Sequence, residues 1–252
     1  MTIWQIALVL LAGFCAGAVN SVAGGGSFFS FPALLAVGIP PVIANASNSV
    51  ALWPASLSGA WVYRHELKRY QRYLIPMGIV SFFGGIGGAL LLLKTKDAMF
   101  SSLIPWLLLF ATLLFTFSTR IAQWLRKSDS DVTALSLPAI FAQLLVAIYG
   151  GFFGAGMGIL MLASLALSGH KNLHEINAIK NLLSAIIYSV TLLTFILAGS
   201  VSWPFTLIML TAATAGGYFG ANLARRIPQQ WLRHFIIVVG FGLSIYYFQK
   251  TR

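Results

Sequence analysis

Two clusters of glycine hold the residues of this sequence best suited to chemistry. Gly24-Gly25-Gly26-Ser27 is followed by a short apolar stretch, Phe28 to Val37, and then by Gly38-Ile39-Pro40-Pro41. Gly154-Ala155-Gly156-Met157-Gly158 is followed by Ile159 to Leu167 and then Ser168-Gly169-His170. Ten residues of helix extend only about 15 Å, half of the roughly 30 Å hydrocarbon layer of a bilayer, so both stretches read as broken or re-entrant helices. Non-helical backbone at membrane depth survives only inside protein or along a wet cavity, because each unpaired amide group in lipid costs several kcal/mol. Such a break exposes helix N-termini, whose N–H groups and dipoles favour an anion, and glycine lets the ligand approach the backbone closely. Gly24, Gly25, Gly26, Gly156 and Gly158 are therefore expected to donate backbone hydrogen bonds to a small anion.

Side chains that could complete such a site follow each break. Asn48 and Asn181 stand near the starts of the next apolar runs, in Ala46-Ser47-Asn48 and Ile179-Lys180-Asn181. A buried amide can donate to an anion and accept from backbone; the competing role is an interhelical hydrogen bond. Lys180 is a cation at the edge of an apolar run, open to two readings: pairing with an anion at depth, or snorkelling to the interface. Asn20, Asn45 and Ser47 are secondary candidates. His174 is another, as a proton relay, although His170 and His174, four apart, read more simply as the turn of an interfacial helix carrying the Lys171–Glu175 pair.

The elements that must position these residues are apolar runs at 4–22, 42–62, 73–93, 101–122, 135–154, 174–199, 203–224 and 231–249. The expected fold is an all-α membrane protein of about eight transmembrane helices in two repeated halves, about 1–122 and 135–252, joined by the polar linker 123–134. The repeat is carried by three matches in order. Gly24 and Gly26 match Gly156 and Gly158 at an offset of 132, Gly84-Gly85-Ile86-Gly87-Gly88-Ala89 matches Gly216-Gly217-Tyr218-Phe219-Gly220-Ala221 at 132, and Asn48 matches Asn181 at 133. At Gly84, Gly88, Gly216 and Gly220 the small-xxx-small spacing predicts close helix packing rather than a site. Four crossings per half imply halves related by an axis along the membrane normal; if one broken segment alters the count, the relation inverts.

Composition excludes most alternatives. The 252 residues are 58% hydrophobic and 8% charged, with a mean hydropathy of +0.86, whereas a soluble domain carries roughly a quarter of its residues as charged types. A net charge of +11 would suggest nucleic acid in a soluble protein. Here the cations fall between apolar runs, where cytoplasmic retention and anionic lipid explain them, so no nucleic-acid partner is expected. On an eight-crossing layout nine cations share a face with both termini and six lie opposite, a slight preference for cytoplasmic termini. The opening MTIWQIALVLLAG lacks the basic region of a secretory signal, Phe14 before Cys15 fits a lipoprotein cleavage site poorly, and the first run reads as a retained helix. The single cysteine excludes an intramolecular disulfide and a multi-cysteine metal site. No phosphate-binding loop of the Gly-x-x-x-x-Gly-Lys-Ser/Thr type and no Gly-x-Ser-x-Gly elbow is present. With five acids, most of them between the apolar runs, an enzyme is not expected, nor is a cofactor. A membrane-embedded structural or assembly subunit is the alternative, against which two matched helix interruptions argue.

The stretch AGAVNSVAGGGSFFSFPALLAVGIPPVIANASNSVAL, from Ala16 to Leu52, and GGFFGAGMGILMLASLALSGHKNLHEINAIKNLL, from Gly150 to Leu183, resemble the sulfite exporter TauE/SafE family of membrane transporters. With the repeated glycine pairs the resemblance covers essentially the full chain. It implies a polytopic permease of the inner membrane that moves small anions such as sulfite, sulfonates or related organic acids, without ATP and driven by a proton or other ion gradient. Asn48 matches the family pattern, Ser47 stands where threonine is common, and Gly-Ala-Gly-Met-Gly replaces an unbroken glycine run at the second break.

Overall fold

A computed structural model describes residues 1–23, 25–62, 67, 70–125, 137–167, 173–224 and 229–250. Among these residues the fold is entirely helical. The helices are α1 Ile3–Ala23, α2 Ser27–Ala36, α3 Pro41–Val62, α4 Gln71–Lys94, α5 Asp97–Leu125, α6 Leu137–Phe152, α7 Met157–Leu167, α8 Leu173–Leu197, α9 Trp203–Ala224 and α10 Gln229–Lys250. All but α2 and α7 coincide with the apolar runs, and those two, of 10 and 11 residues, are the short stretches that follow the glycine clusters. Four helices, α1, α4, α5 and α8, contain apolar windows long enough to cross a bilayer. The shell is greasy: Phe83, Trp106, Phe141 and Phe219 are each at least 60% exposed, a surface suited to lipid and not to water.

The direction of each helix follows from contacts between distant residues. Gln5 at the start of α1 donates through Nε2 to the carbonyl of Val37 just beyond α2, at 3.2 Å. At the other end of α2, a Cβ on Gly26 would stand 2.5 Å from the Ala16 carbonyl oxygen and 3.0 Å from Asn20 Cβ. From Gln5 to Ala16 and from Gly26 to Val37 are eleven residues each, about 16 Å of helix. Therefore α2 runs back along α1, and the hairpin enters and leaves on one side. The eight crossings expected from the sequence count α1 and leave α2 out.

The remaining helices can be followed from this first side. Asp97 Oδ1, in the first turn of α5, accepts from the Val42 amide at 2.9 Å, so α3 and α5 both start on the first side and α4 ends there. The bond satisfies one of the orphan N–H groups that every helix start exposes, and an anion there suits the helix dipole. Helix α6 lies parallel to α4: Cβ atoms on Gly84 and Gly88 would meet Ala147 Cβ at 2.6 Å and the Ile148 oxygen at 2.1 Å. Helix α9 lies parallel to α1: a Cβ on Gly13 would stand 2.9 Å from the Met209 oxygen and one on Gly17 would stand 1.9 Å from the Ala213 oxygen. Helix α10 runs antiparallel to α5, through Trp106–Phe248 (ring centroids 4.9 Å) and Thr112–Gly240. Leu165 near the end of α7, Ile176 near the start of α8, Ala139 near the start of α6 and Tyr73 near the start of α4 share one buried cluster, which places the ends of the α6–α7 hairpin on the second side. Exposed tryptophans mark both rims, Trp4 and Trp203 on the first side and Trp61 on the second, where amphipathic rings favour the membrane interface.

Of the glycines expected to pack, Gly84, Gly88 and Gly216 do so, and the surroundings of Gly220 lie outside the described residues. Gly84 and Gly88 abut α6, and a Cβ on Gly216 would stand 2.0 Å from the Phe14 carbonyl oxygen of α1. Side chains there would hold the backbones apart, and van der Waals contact is a main source of helix association in lipid.

Candidate functional site

Each break is built differently. In the second, Gly154 and Gly156 have φ of +77° and +76°, left-handed values that cost a residue with a side chain roughly 1–2 kcal/mol. This local requirement explains why glycine alternates there instead of forming a run. The first turn of α7 is closed by Met157 N to Gly154 O (3.2 Å) and by Ile159 N (3.0 Å) and Leu160 N (3.3 Å) to Gly156 O; the amides of Gly156 and Gly158 make none of these bonds. In the first break Gly26 is ordinary right-handed backbone, φ −55° and ψ −37°. Its glycine is required instead by the approach of α1. Phe28 N bonds Gly25 O at 3.2 Å and Phe29 N bonds Gly26 O at 3.0 Å. Gly24 lies outside the described residues.

The two breaks meet on one helix. A Cβ on Gly25 would touch Phe115 of α5 at 3.5 Å, and one on Gly156 would touch Ala111 Cβ at 3.3 Å. Phe115 and Ala111 are one turn apart on the same face of α5, so the breaks lie at nearly the same depth. Phe31 of α2 packs edge-on against Phe153 beside the second break, with centroids 5.5 Å apart. Tyr149 donates to the Ala155 carbonyl at 2.6 Å, pinning the unwound segment back onto α6.

The amides are more committed than their spacing suggested. Asn48, 2% exposed, donates through Nδ2 to Ser27 Oγ at 3.2 Å and accepts at Oδ1 from Ser30. Both partners belong to the first turn of α2, so Asn48 clamps the N-terminus of the short helix to α3. Asn45 donates to the carbonyl of Phe152, the last residue of α6, at 2.8 Å, and its Oδ1 is buried without a hydrogen-bond partner. Ser47 Oγ accepts from the Ser202 amide at the entry to α9, at 2.9 Å. Asn20 packs its Cβ against Gly26. Asn48 and Asn45 thus hold the two breaks in place from α3, whereas Ser47 ties α3 to the entry of α9.

In the second half the place of Asn48 is taken by Lys180. Lys180 Cδ lies 3.8 Å from where a Gly158 Cβ would stand, as Asn48 stands over the turn that follows Gly26. The correspondence Gly26–Gly158 and Asn48–Lys180 keeps the offset of 132 without insertion, and Asn45-Ala46 then matches Asn177-Ala178. Asn181, the partner expected at 133, is half-buried and turned about 100° around α8 from Lys180. The hydroxyls of Ser27 and Ser30 are replaced at the same offset by Ile159 and Leu162. One hairpin is therefore tied to α3 through neutral hydrogen bonds, whereas the other receives a basic side chain from α8 at its glycine. His174 belongs to α8, but its side chain, like the whole of His170, lies outside the described residues.

Sequence reasoning passed over Ser27, Ser30, Asp97 and Tyr149. The serines carried a legible signal, since hydroxyls in the first turn of a short helix favour capping bonds; Asp97 and Tyr149 act on partners that spacing does not reveal.

Comparison with known proteins points to a family of membrane transporters. The family described as "Sulfite exporter TauE/SafE" matches residues 9–247. A probable membrane transporter protein of Haemophilus influenzae is 26% identical over 240 residues, 95% of this chain and 92% of the relative. The probable membrane transporter protein YfcA of Escherichia coli K12 is 30% identical over 240 residues, 94% of this chain and 86% of the relative. The probable membrane transporter protein ORF9 of a Sinorhizobium species is 27% identical over 244 residues, 95% and 91% of the two chains. No solved structure matches. With a match spanning nearly its whole length and relatives named as transporters and not as enzymes, the chain belongs to the sulfite exporter TauE/SafE family of multi-pass membrane proteins.

Proposed function

We propose that the protein is a secondary transporter of the inner membrane that exports or exchanges a small anion, a sulfur oxyanion or organosulfonate, held between the two helix breaks. The observation that carries this reading is the convergence of Gly25 and Gly156 on Phe115 and Ala111, one turn apart on α5. Paired helix interruptions at one depth are what a transport site needs, since half-helix N-termini attract anionic groups there. Lys180 supplies a full positive charge beside Gly158, and the Gly156 and Gly158 amides supply oriented dipoles. Gly25, Gly26 and the clamped start of α2 form the facing wall. Asn48 acts by fixing that wall, and Asn181 contributes at the margin.

The pairing of α1 with α9 and of α4 with α6, each parallel, supports reading residues 1–122 and 135–252 as inverted copies. The first copy begins with a hairpin from the first side, the second with a hairpin from the other. Rocking one copy against the other would open the breaks to each side in turn. A proton or another ion supplies the gradient in this scheme.

Uptake and counterflow of sulfite, thiosulfate, taurine and small carboxylates into proteoliposomes, with and without a pH gradient, tests the proposal. Saturable flux of a sulfur anion that responds to the gradient supports it. Flux no greater than in protein-free vesicles for every anion of the panel defeats it.

A further inference from the structure

We propose that the chain sits in the membrane with the start of α1 and the end of α10 outside the cytoplasm, and with the side that bears the linker between α5 and α6 facing in. The inference needs only helix directions and the placement of basic residues, and is independent of the substrate.

The hairpin α1–α2 returns to its own side through Gln5 and Val37, so the α1–α2 pair makes no net crossing. Helices α3, α4 and α5 then cross in turn, α6–α7 returns to the second side, and α8, α9 and α10 cross again. The start of α1, the α2–α3 and α4–α5 turns, the α8–α9 turn and the end of α10 therefore share the first side. The connections α3–α4, α5–α6, α7–α8 and α9–α10 share the second.

Charge divides sharply along this line. The first side has Lys94 and Lys96 between α4 and α5, and Lys250 and Arg252 at the end of α10. The second has Arg64, Lys68, Arg69 and Arg72 around α3–α4, Arg120, Arg126 and Lys127 around α5–α6, and Lys171 before α8. It also has Arg225, Arg226 and Arg233 around α9–α10. Setting aside Lys180, which lies within α8, eleven of the fifteen other cations fall on the second side and four on the first. Counting α1 as a crossing divides the same residues nine against six and points the termini inward. All four second-side connections are short enough for lysine and arginine to set orientation, and the inner leaflet's anionic lipids attract them at about 1 kcal/mol each near the surface. The two sides thus differ by seven cations in one direction. In this orientation the α6–α7 hairpin, whose Gly158 faces Lys180 of α8, opens from the cytoplasm, and the α1–α2 hairpin, tied to Asn48 of α3, opens from outside.

Fusions and thiol labelling test it in intact cells. Alkaline phosphatase, active only outside, and green fluorescent protein, fluorescent only inside, are each joined after Arg252. Separately, Lys96→Cys and Ser128→Cys are made in a Cys15→Ser background and exposed to a membrane-impermeant maleimide. The expected results are an active phosphatase, a dark fluorescent fusion, labelling of Lys96→Cys in intact cells, and labelling of Ser128→Cys only after permeabilisation. A fluorescent fusion with labelling reversed at both cysteines overturns the orientation. Lys96→Cys on the opposite side from the fusion point overturns the hairpin topology beneath it.

Discussion

Gly87 and Gly88 are neighbours on α4 with opposite surroundings, and replacing each by alanine separates helix propensity from helix contact. A methyl group on Gly88 would stand 2.1 Å from the Ile148 oxygen and 2.8 Å from the Phe152 amide nitrogen, whereas one on Gly87 meets nothing within 4 Å. Ordinary contact begins at 3.4 Å, so α6 would have to withdraw by about 1.3 Å, and its end at Phe152 is where the second break begins. Overpacking of this kind typically costs about 1–3 kcal/mol, while alanine for glycine in a helix otherwise gains up to about 1 kcal/mol. The two variants should therefore differ by about 2–4 kcal/mol, Gly88→Ala being the weaker protein. Reversible unfolding in mixed micelles reads the difference, and flux in proteoliposomes should fall in Gly88→Ala alone, because the displaced α6 carries the break with it. Equal stability in the two variants would refute the close packing of α4 on α6.

Other substitutions test the breaks themselves. Asn48→Ala removes two buried hydrogen bonds to the start of α2, each worth about 0.6 kcal/mol on average and at most about 1.7 in membrane proteins; a loss of about 1–3 kcal/mol in micelle unfolding is expected, with Asn48→Asp retaining the bond from Ser30. Gly156→Ala forces a side chain into left-handed backbone at about 1–2 kcal/mol. Gly158→Ala, whose methyl meets only Lys180 Cδ at 3.8 Å, should keep wild-type stability yet raise the KM for the transported anion. Asp97→Ala strips the Val42 amide of its acceptor, and thermal unfolding should report a loss of about 0.5–2 kcal/mol, the usual cost of a lost helix cap.

The membrane class and the positions of the helices were legible because hydropathy and glycine clustering are local signals. Eight apolar runs became α1, α3 to α6 and α8 to α10, and the two short stretches became α2 and α7. The path of the chain was not legible. Whether α2 turns back depends on Gln5 meeting Val37, 32 residues on, and the α3–α5 tie depends on Val42 meeting Asp97 across 55. Since the hairpin decides which loops share a side, the same cations divide nine against six on an eight-crossing path and eleven against four on the topology proposed above. Asn48 reads as a site residue from its type, but its bonds to Ser27 and Ser30 join residues that spacing alone does not couple. Spacing matched Asn48 with Asn181 at an offset of 133, and the structure sets Lys180, at an offset of 132, beside Gly158.

Flux through Lys180→Met proteoliposomes compared with wild type, at equal reconstitution and equal stability in micelles, bears most directly on an anion held at the breaks. Methionine keeps most of the side chain's length beside Gly158 while removing its charge. The account predicts loss of saturable sulfur-anion transport, with recovery of part of it in Lys180→Arg. Wild-type KM and rate in Lys180→Met would contradict it.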